Sequence, residues 1–372
     1  MIRSSGVALR SCAVLVIVIV SLHLLWFNLP NDYKSAFQLD TPTPTPTPTP
    51  EQKENDDDVE YPNEPLAKQI KASELLSRPP TYTNGRIPKI FHQSWVSLQL
   101  PRKFQSWSRS CRRNHPDWEW VIWTDDDNLQ LVQRHFPWLE HTYRGLPSEI
   151  YRADLARYLY MYIYGGVYAD LDTECLRSTE ALQPTYGQLF QESEGKNNTA
   201  MFGRMGTDPS FEHSIPNAWM AASPGHPFFL VIMNEVKQRY KMIENKWRWT
   251  RVKPAETITG PVALRAAITE YEADKEAMKD AVREHATSVE FEGEKSKDDE
   301  VVLLPGHVVY PYSWGSDGEH VRNVCWVVSN SFNAKVCKKR LAVEKDGSIA
   351  ITYWSHTHSP SGHNEGNMKH IE

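Results

Sequence analysis

The amino-acid sequence predicts an α/β domain with a mostly parallel sheet, carried on a single transmembrane helix and an extended stem. Three observations predict this layout: an uncharged apolar segment at 12–29, five Thr-Pro pairs at 41–50, and alternating strand-like and helix-like patterns from residue 85 onward. Alternation of strands with helices is typical of sheets whose strands run mostly parallel. The predicted boundaries are 1–11 for a cytosolic tail, 12–29 for the membrane anchor, 30–84 for the stem and 85–372 for the domain.

The anchor is predicted from an apolar run between charged flanks. Residues 12–29 carry no formal charge, Arg3 and Arg10 precede them, and Asp32 follows. A membrane-spanning helix needs roughly 20 apolar residues, so this segment is short but sufficient. The bulky residues at 24–27 argue against the small-residue cleavage site of a signal peptide. The basic flank predicts a cytosolic N-terminus, and a short span suits the bilayers of the early secretory pathway. We therefore expect a single-pass type II protein of the Golgi or ER membrane with a lumenal domain.

The stem is predicted from its composition. Proline at every second position of 41–50 favours an extended polyproline conformation, and lumenal Thr-Pro repeats are natural O-glycosylation acceptors. The formal net charge is -6, and residues 51–65 account for all of it, with seven acidic residues against Lys53. The rest of the chain is therefore balanced. Without a basic field, nucleic acid is excluded as a partner.

The elements of the domain are predicted from apolar periodicity and from residues that begin or end helices. Ser148 is expected to cap the helix that Gly165-Gly166 ends, and Pro261 is expected to open a later helix. A short helical face is also expected near 104–111. In chain order, the other predicted elements are strands at 87–92 and 118–123, helices at 126–135 and 148–164, a buried strand at 167–169, a helix from 261 to about 285, and β-like runs at 301–304 and 349–354.

The chain has five cysteines, of which Cys12 lies in the predicted anchor. The four cysteines of the predicted lumenal part allow three pairings. Cys325 and Cys337 close a short loop between β-like runs, and we expect them to pair in an oxidising lumen. The other two are Cys111 and Cys175. Asn197-Asn198-Thr199 is an N-glycosylation sequon.

The strongest chemical signal is an Asp-x-Asp motif that follows the predicted buried strand at 167–169. This position puts Asp170 and Asp172 at the carboxyl edge of the sheet, where α/β proteins bind ligands. Two hard oxygen donors suit Mg²⁺ or Mn²⁺, which complete their coordination with substrate phosphates. A sugar nucleotide would supply the diphosphate, and the metal would neutralise it as it departs. By itself, Asp-x-Asp is a weak motif.

The helix before the motif carries a second signal. Asp154 and Arg157 are spaced i, i+3 and share one face of an otherwise apolar helix. Charged residues in such a place need partners, and two interpretations are open. They form a buried structural ion pair, or they bind a ligand, the carboxylate taking sugar hydroxyls and the guanidinium a hydroxyl or phosphate.

Taken together, these motifs resemble glycosyltransferase family 32, and its sugar-binding Asp-x-Asp region in particular. The matching stretches are 87–95, 123–125, 152–158 and 165–172, in the same order and with the same spacing as in the family. The resemblance covers about 86–180, with Thr259-Gly260-Pro261 as a weaker echo beyond it. The family includes fungal Golgi mannosyltransferases of N-glycan outer chains and mannosyl inositol-phosphoceramide synthases.

The resemblance implies a GT-A fold, a retaining transfer, and a role for each matching residue. Relatives also place a histidine or acidic residue close to the metal near the C-terminus, where this chain offers His356 or His358, and we take His356 as the predicted ligand. The implied roles are stacking on the nucleotide base for Trp95, donor binding for Asp125, Arg152 and Tyr168, binding of the donor sugar for Asp154 and Arg157, and binding of Mn²⁺ or Mg²⁺ and the diphosphate for Asp170 and Asp172.

The predicted function is metal-dependent, retaining transfer of a hexose to a glycan or glycolipid. Mannose from GDP-mannose is preferred over a UDP-hexose (glucose or galactose) because of the resemblance, the type II layout and the Thr-Pro stem. Other Golgi glycosyltransferases are candidate partners in a complex. Two alternatives belong to other classes. A phosphohydrolase would use Asp170 as its nucleophile, but haloacid-dehalogenase-like enzymes carry Thr where this chain has Glu174. A lectin-like protein without catalysis would not need intact Asp170 and Asp172.

Overall fold

A seven-stranded sheet crosses the part of the protein that our computed structural model describes, which comprises residues 64–191, 196–244 and 253–355. A separate two-stranded sheet pairs Thr173–Cys175 with Ala350–Thr352. The strands are β1 (Lys68–Ile70), β2 (Ile90–Ser94), β3 (Glu119–Trp123), β4 (Gly166–Ala169), β5 (Thr173–Cys175), β6 (Asn198–Gly203), β7 (Trp219–Ala222), β8 (Asp299–Leu304) and β9 (Ala350–Thr352). The spatial order in the large sheet is β1-β3-β2-β4-β7-β6-β8.

The large sheet is mixed but mostly parallel, as predicted. Four of its neighbouring pairs are parallel, and β7 alone is antiparallel, to both β4 and β6. Every strand except β7 therefore ends at the same edge of the sheet. Because β7 runs the other way, the residues just before it lie at that edge as well. This edge collects the polar side chains of the site described below.

Helices cover both faces of the large sheet. Along β3, Val121 and Trp123 belong to one hydrophobic core, and Trp120 and Ile122 belong to the other, as the alternation of a strand requires. The α-helices are Ala72–Ser77, Arg102–Asn114, Asp125–His135, Glu140–Gly145, Glu149–Ile163, Gln183–Tyr186, Pro227–Glu244, Ala255–Ile258, Pro261–Ala273, Lys275–Ala281, Arg283–Ala286, Gly306–Val309, Glu319–Cys325 and Ala334–Arg340. Short 3₁₀ turns occur at Pro137–Leu139, Thr179–Leu182 and Ser316–Gly318.

Two helix predictions need correction. The helix predicted from 261 to about 285 is three helices. The first ends at Ala273, because Asp274 leaves the helical conformation and its side chain caps the next helix through the Ala277 N–H. Ser148 occupies the N-cap position of Glu149–Ile163 as predicted, but its side chain makes no capping hydrogen bond.

The start of the domain also differs from the predicted boundary at residue 85. Lys68–Ile70 pairs with β3 as the outer strand of the large sheet, and Ala72–Ser77 buries Leu75 and Leu76 in the core. The end of the predicted stem is therefore part of the domain. Within the three described ranges, no helix has the length and apolar character needed to cross a membrane. The predicted tail, the predicted anchor and the stem up to residue 63 lie outside these ranges.

Two disulfides brace the described residues. Cys325 is bonded to Cys337, which confirms that prediction, and Cys111 is bonded to Cys175. The second bond fixes helix Arg102–Asn114 against β5, immediately after the Asp-x-Asp motif. By loop length, the shorter bridge stabilises the fold by about 3 kcal/mol and the longer bridge by about 4 kcal/mol.

Three buried histidines are held neutral. His92 donates from Nε2 to the Gly165 carbonyl at 2.9 Å and accepts from Trp123 Nε1 at 3.1 Å. His115 accepts from the Thr179 N–H, and His226 accepts from the Phe228 N–H. Each imidazole thus accepts a hydrogen bond at one ring nitrogen. Protonation of that nitrogen would break the hydrogen bond. Burial lowers the pKa of His92 to about 3 and lowers that of His115 and His226 to about 4.

We expect these histidines to destabilise the protein as the pH falls from 6.5 to about 4. In this pH range the histidines bind protons in the unfolded chain but not in the folded protein. Each histidine therefore lowers the free energy of unfolding by about 1.4 kcal/mol for each unit by which the pH falls. Urea unfolding between pH 7 and pH 5 measures the slope. A His226→Gln variant should show a shallower pH dependence than the unmodified protein. Parallel curves for the two proteins would show that His226 does not contribute.

Candidate active site

A cleft of about 410 Å³ opens at the carboxyl edge of the large sheet. Seven of the predicted site residues line it. They come from the ends of β2 and β4, from the start of helix Asp125–His135 and from helix Glu149–Ile163. These residues are Trp95, Asp125, Asp154, Arg157, Tyr168, Asp170 and Asp172. These seven residues are up to 77 positions apart in the sequence.

A pair of glycines with positive φ positions the Asp-x-Asp motif. Gly165 and Gly166 have φ values of 61° and 86° and turn the chain from helix Glu149–Ile163 into β4. A Cβ atom on Gly166 would lie 2.4 Å from the Ile90 carbonyl oxygen. Only glycine fits this close approach of β4 to β2. The turn fixes the position of β4 and therefore the position of Asp170, which directly follows this strand.

Asp170 is the more exposed carboxylate of the motif, with 30% of its side chain accessible. Its Oδ1 accepts a hydrogen bond from the Tyr168 hydroxyl at 2.6 Å and lies 3.1 Å from Arg157 Nη1. Its backbone N–H donates to the Ala218 carbonyl, just before β7. Burial raises the pKa of Asp170, although the nearby guanidinium opposes this shift.

The two oxygens of Asp172 differ in their hydrogen bonds to the rest of the described chain. Its Oδ2 accepts from the Ser355 N–H at 2.7 Å, whereas its Oδ1 is buried and has no hydrogen-bond partner among the described residues. Burial raises the pKa of Asp172. A buried carboxylate oxygen without a partner is costly and needs an explanation. A cation bound between Asp172 and Asp170 would supply the missing partner.

Arg157 connects the two halves of the site. Its side chain is 5% exposed and its guanidinium contacts Asp154 Oδ1 at 3.2 Å, Asp170 Oδ1 at 3.1 Å and the Asn217 carbonyl at 2.9 Å. It also lies over the ring of Tyr168, 4.9 Å from the centroid. Burial opposes its charge, but these carboxylates raise the pKa of Arg157 well above its ordinary value. Arg157 therefore remains charged throughout.

Asp154 is held by three donors. Besides Arg157, Asn217 Nδ2 donates to its Oδ1 at 2.9 Å and the Thr259 hydroxyl donates to its Oδ2 at 3.0 Å. Burial raises the pKa of Asp154, and the Arg157 charge opposes that rise. The structural ion pair that the sequence leaves open is thus present. Asp154 nevertheless lines the cleft, so the pair is structural and available to a ligand as well.

Trp95 and Asp125 lie at the β2–β3 end of the cleft, whereas Arg152 does not line it. Trp95 packs edge-on against Phe104, with ring centroids 5.4 Å apart. Burial, followed by repulsion from Glu149, raises the pKa of Asp125. Arg152 instead donates from Nε to Glu149 at 2.8 Å and from Nη1 to the Leu146 carbonyl at 3.0 Å. Donor binding by Arg152 stays a prediction.

The structure adds cleft residues that the sequence analysis did not identify. Asn217 and Ser355 contact the central carboxylates, and His213 and Trp314 form part of the cleft wall. Asn217 lies at the site because β7 is antiparallel, and no local pattern signals that reversal. Ser355 belongs to the C-terminal stretch expected to approach the metal, and this contact supports that expectation.

The described residues supply only part of a set of metal ligands. No group of three or more His, Cys, Asp or Glu side chains that could hold a metal occurs in 64–191, 196–244 or 253–355. Asp170 and Asp172 are two carboxylates, and Asp172 Oδ1 lacks a partner there. Few protein ligands suffice for Mg²⁺ or Mn²⁺ when phosphates complete the coordination. The predicted ligand His356 lies outside the described residues, one position beyond Ser355.

Comparison with known proteins gives a match across this site. Residues 101–188 match the family described as the glycosyltransferase sugar-binding region containing a DXD motif. This segment includes both Asp154 and Asp172. The match confirms the resemblance to glycosyltransferase family 32 on which the predicted enzyme class rests.

Curated fungal proteins are similar over part of the chain. Inositol phosphoceramide mannosyltransferase 3 of Schizosaccharomyces pombe is 35% identical over 157 residues, covering 42% of this chain and 39% of that protein. A mannosyl phosphorylinositol ceramide synthase of Saccharomyces cerevisiae is 30% identical over 155 residues, covering 42% of this chain and 36% of that protein. The chain thus matches these relatives over less than half of their length. Among solved structures, the PaToxG glycosyltransferase is 14% identical with a TM-score of 0.35, covering 56% of this chain and 78% of that one.

Proposed function

We propose that this protein is a metal-dependent glycosyltransferase that transfers mannose from GDP-mannose to a glycolipid acceptor. The observation that carries the proposal is the buried Oδ1 of Asp172, which has no partner in the described parts of the chain, in a cleft that also holds Asp170 and the Asp154–Arg157 pair. A divalent cation and a sugar nucleotide would together satisfy these groups. The mixed, mostly parallel sheet with its antiparallel β7 is consistent with the GT-A fold that the resemblance implies.

In this proposal, Asp170 and Asp172 hold Mn²⁺ or Mg²⁺ together with the donor diphosphate. A metal held by these two carboxylates would supply positive charge to stabilise the departing diphosphate. Tyr168 and Arg157 donate to Asp170 and fix its orientation, while the Ser355 N–H does the same for Asp172. A carboxylate whose geometry is set in advance need not reorganise during the reaction.

The donor sugar is assigned to Asp154 and its neighbours. Each carboxylate oxygen has two lone pairs, so Asp154 can accept from sugar hydroxyls while Asn217 and Thr259 hold it in place. Arg157 opposes the effect of burial on the pKa of Asp154 and links Asp154 to Asp170. The sugar and the diphosphate would therefore bind to one connected set of charges. A retaining transfer is proposed on the resemblance to family 32.

The acceptor and the location rest on further observations. The relatives named above are called inositol phosphoceramide mannosyltransferase and mannosyl phosphorylinositol ceramide synthase, and we propose inositol phosphoceramide as the acceptor. Two disulfides indicate folding in an oxidising compartment, which supports a location in the lumen of the Golgi or ER. Residues 12–29 would anchor the protein in the membrane that contains such a lipid.

A donor panel tests this function. The full-length protein, purified in detergent with inositol phosphoceramide, is offered GDP-mannose, UDP-glucose or UDP-galactose, each with Mn²⁺ or with EDTA. We expect transfer from GDP-mannose only, no transfer in EDTA, and an α-linked product by NMR. Full activity in EDTA would refute the metal, preference for a UDP-hexose would refute the donor, and a β-linked product would refute retention. Phosphatase activity without transfer would favour the phosphohydrolase alternative.

A further inference from the structure

We infer that His213 and Trp314 form the acceptor subsite, where they take the polyol ring of a glycolipid headgroup. Both side chains line the cleft. The inference deepens the proposed function and rests on it. No motif in the sequence marks either residue. It is the order of the strands that brings them to the same site as the Asp-x-Asp motif.

The topology gives the cleft two ends with different chemistry. The central motif follows β4, and β2 and β3 lie on one side of β4 with Trp95 and Asp125 after them. On the other side of β4 lie β7, β6 and β8. His213 comes from the segment between β6 and β7, and Trp314 comes from the segment after β8. The two aromatic side chains therefore belong to the end opposite Trp95.

A sugar nucleotide can occupy only one of these ends with its base. If its diphosphate lies on Asp170 and Asp172 and its base stacks on Trp95, the nucleotide extends toward β2 and β3. The sugar then remains beside Asp154, at the centre of the cleft. The end at β7 and β8 is left for the molecule that attacks the sugar. That molecule is the acceptor.

The side chains of His213 and Trp314 form an aromatic wall at this end of the cleft. The rings of His213 and Trp314 meet edge to face with centroids 5.4 Å apart, and Phe211 supports His213 at 5.4 Å and Trp314 at 6.5 Å. The His213 side chain is 14% exposed, so the ring is partly accessible. Aromatic rings with one accessible face pack well against amphipathic rings. The C–H faces of an inositol or hexose ring fit such a wall, while their hydroxyl groups remain at the rim.

Asp317 joins the two segments that carry the wall. Its Oδ2 accepts from the Thr207 N–H at 2.9 Å and its Oδ1 accepts from the Ser313 hydroxyl at 2.7 Å. Gly206 permits this contact, because a Cβ atom there would lie 2.7 Å from Asp317 Oδ2. Arg322 Nη2 also donates a hydrogen bond of 2.8 Å to the Trp314 carbonyl. Asp317 is thus a positioning residue that aligns the wall without touching the substrate.

Steady-state kinetics with inositol phosphoceramide and GDP-mannose test whether the aromatic wall binds the acceptor. In the full-length protein, we expect Trp314→Ala to raise the KM for the acceptor about tenfold or more while the KM for the donor changes by less than about twofold. Trp314→Phe keeps a ring and should retain most of the affinity. Trp95→Ala, the matched variant at the other end, should show the reverse pattern. An equal rise of both constants in Trp314→Ala, or no change in either, would overturn the inference.

Asp317 is tested in the same assay. We expect Asp317→Ala to raise the KM for the acceptor with little effect on the KM for the donor, and Asp346→Ala, which removes an exposed carboxylate elsewhere, to change neither. A loss of turnover with both KM values unchanged would refute its positioning role.

Direct binding separates this inference from the proposed function. Saturation-transfer NMR with myo-inositol 1-phosphate needs no turnover, so it remains informative even if no donor is transferred. We expect a signal with the unmodified protein and with Trp314→Phe, and its loss with Trp314→Ala. Thermal unfolding shows whether each variant is folded. An equal signal from the unmodified protein and Trp314→Ala, or no signal from either, would overturn the subsite whatever the donor panel shows.

Discussion

Asp172→Asn is expected to lower mannosyl transfer by about a hundredfold to a thousandfold without destabilising the metal-free protein. The amide oxygen can still accept from the Ser355 N–H, so the hydrogen bond that orients the side chain survives. The negative charge that would bind the cation is lost. Because burial raises the pKa of Asp172, the charged side chain is less favourable in the metal-free fold than in water. Removing the charge should leave the unfolding temperature in EDTA unchanged or slightly higher.

Ligand-dependent stability provides the second measurement for this variant. A metal that binds only the folded protein raises its unfolding temperature. Mn²⁺ with GDP should therefore stabilise the unmodified protein and fail to stabilise Asp172→Asn. Asp346→Asn removes an exposed carboxylate and serves as the control for charge. Retention of a third or more of the activity by Asp172→Asn, or an undiminished thermal shift, would contradict the assignment of Asp172 to the metal.

Arg157→Met is expected to abolish transfer and to lower the free energy of unfolding by about 3–5 kcal/mol. Methionine fills much of the same volume, but it leaves Asp154 and Asp170 without the cation that both contact. Breaking a buried pair on one side leaves an uncompensated charge, which costs far more than an intact pair contributes. Urea unfolding and the transfer assay measure the two effects.

A double variant separates stability from activity at this position. Adding Asp154→Asn to Arg157→Met removes one of the two stranded charges, so part of the lost stability should return. Activity should not return, because the carboxylate that we propose to bind the donor sugar is now missing as well. Recovery of activity together with stability would mean that Arg157 and Asp154 serve only the fold. That result would restore the purely structural interpretation of the pair.

The α/β pattern and the central motif could be predicted because their signals are local. The helix Glu149–Ile163, its glycine stop and the strand before Asp170 are each encoded within a few residues, and the structure has them within one or two positions of the predicted bounds. The Cys325–Cys337 bond was predictable for the same reason, since it closes a short loop. Local sequence sufficed wherever the partners are near neighbours.

The remaining features depend on partners far away in the chain. Lys68–Ile70 has only Ile70 buried, so it shows no strand pattern of its own, and its pairing with β3 defines it. Asn217 reaches Asp154 across 63 positions because β7 is antiparallel. Arg152 is predicted to bind the donor because it matches a motif, and the structure adds that its guanidinium contacts Glu149 on its own helix. Sequence spacing alone does not reveal such choices.

The bond from the Ser355 N–H to Asp172 has a consequence for the synthesis of the protein. These residues are 183 positions apart, and Ser355 follows β9, which pairs with β5 next to Asp172. When synthesis has reached residue 340, the chain already contains Asp170, Asp172 and the aromatic residues His213 and Trp314. It does not yet contain Ser355. Asp172 would still lack its backbone donor, so the proposed cation site would be incomplete at that stage. A prematurely terminated chain would therefore be inactive even if most of it had folded.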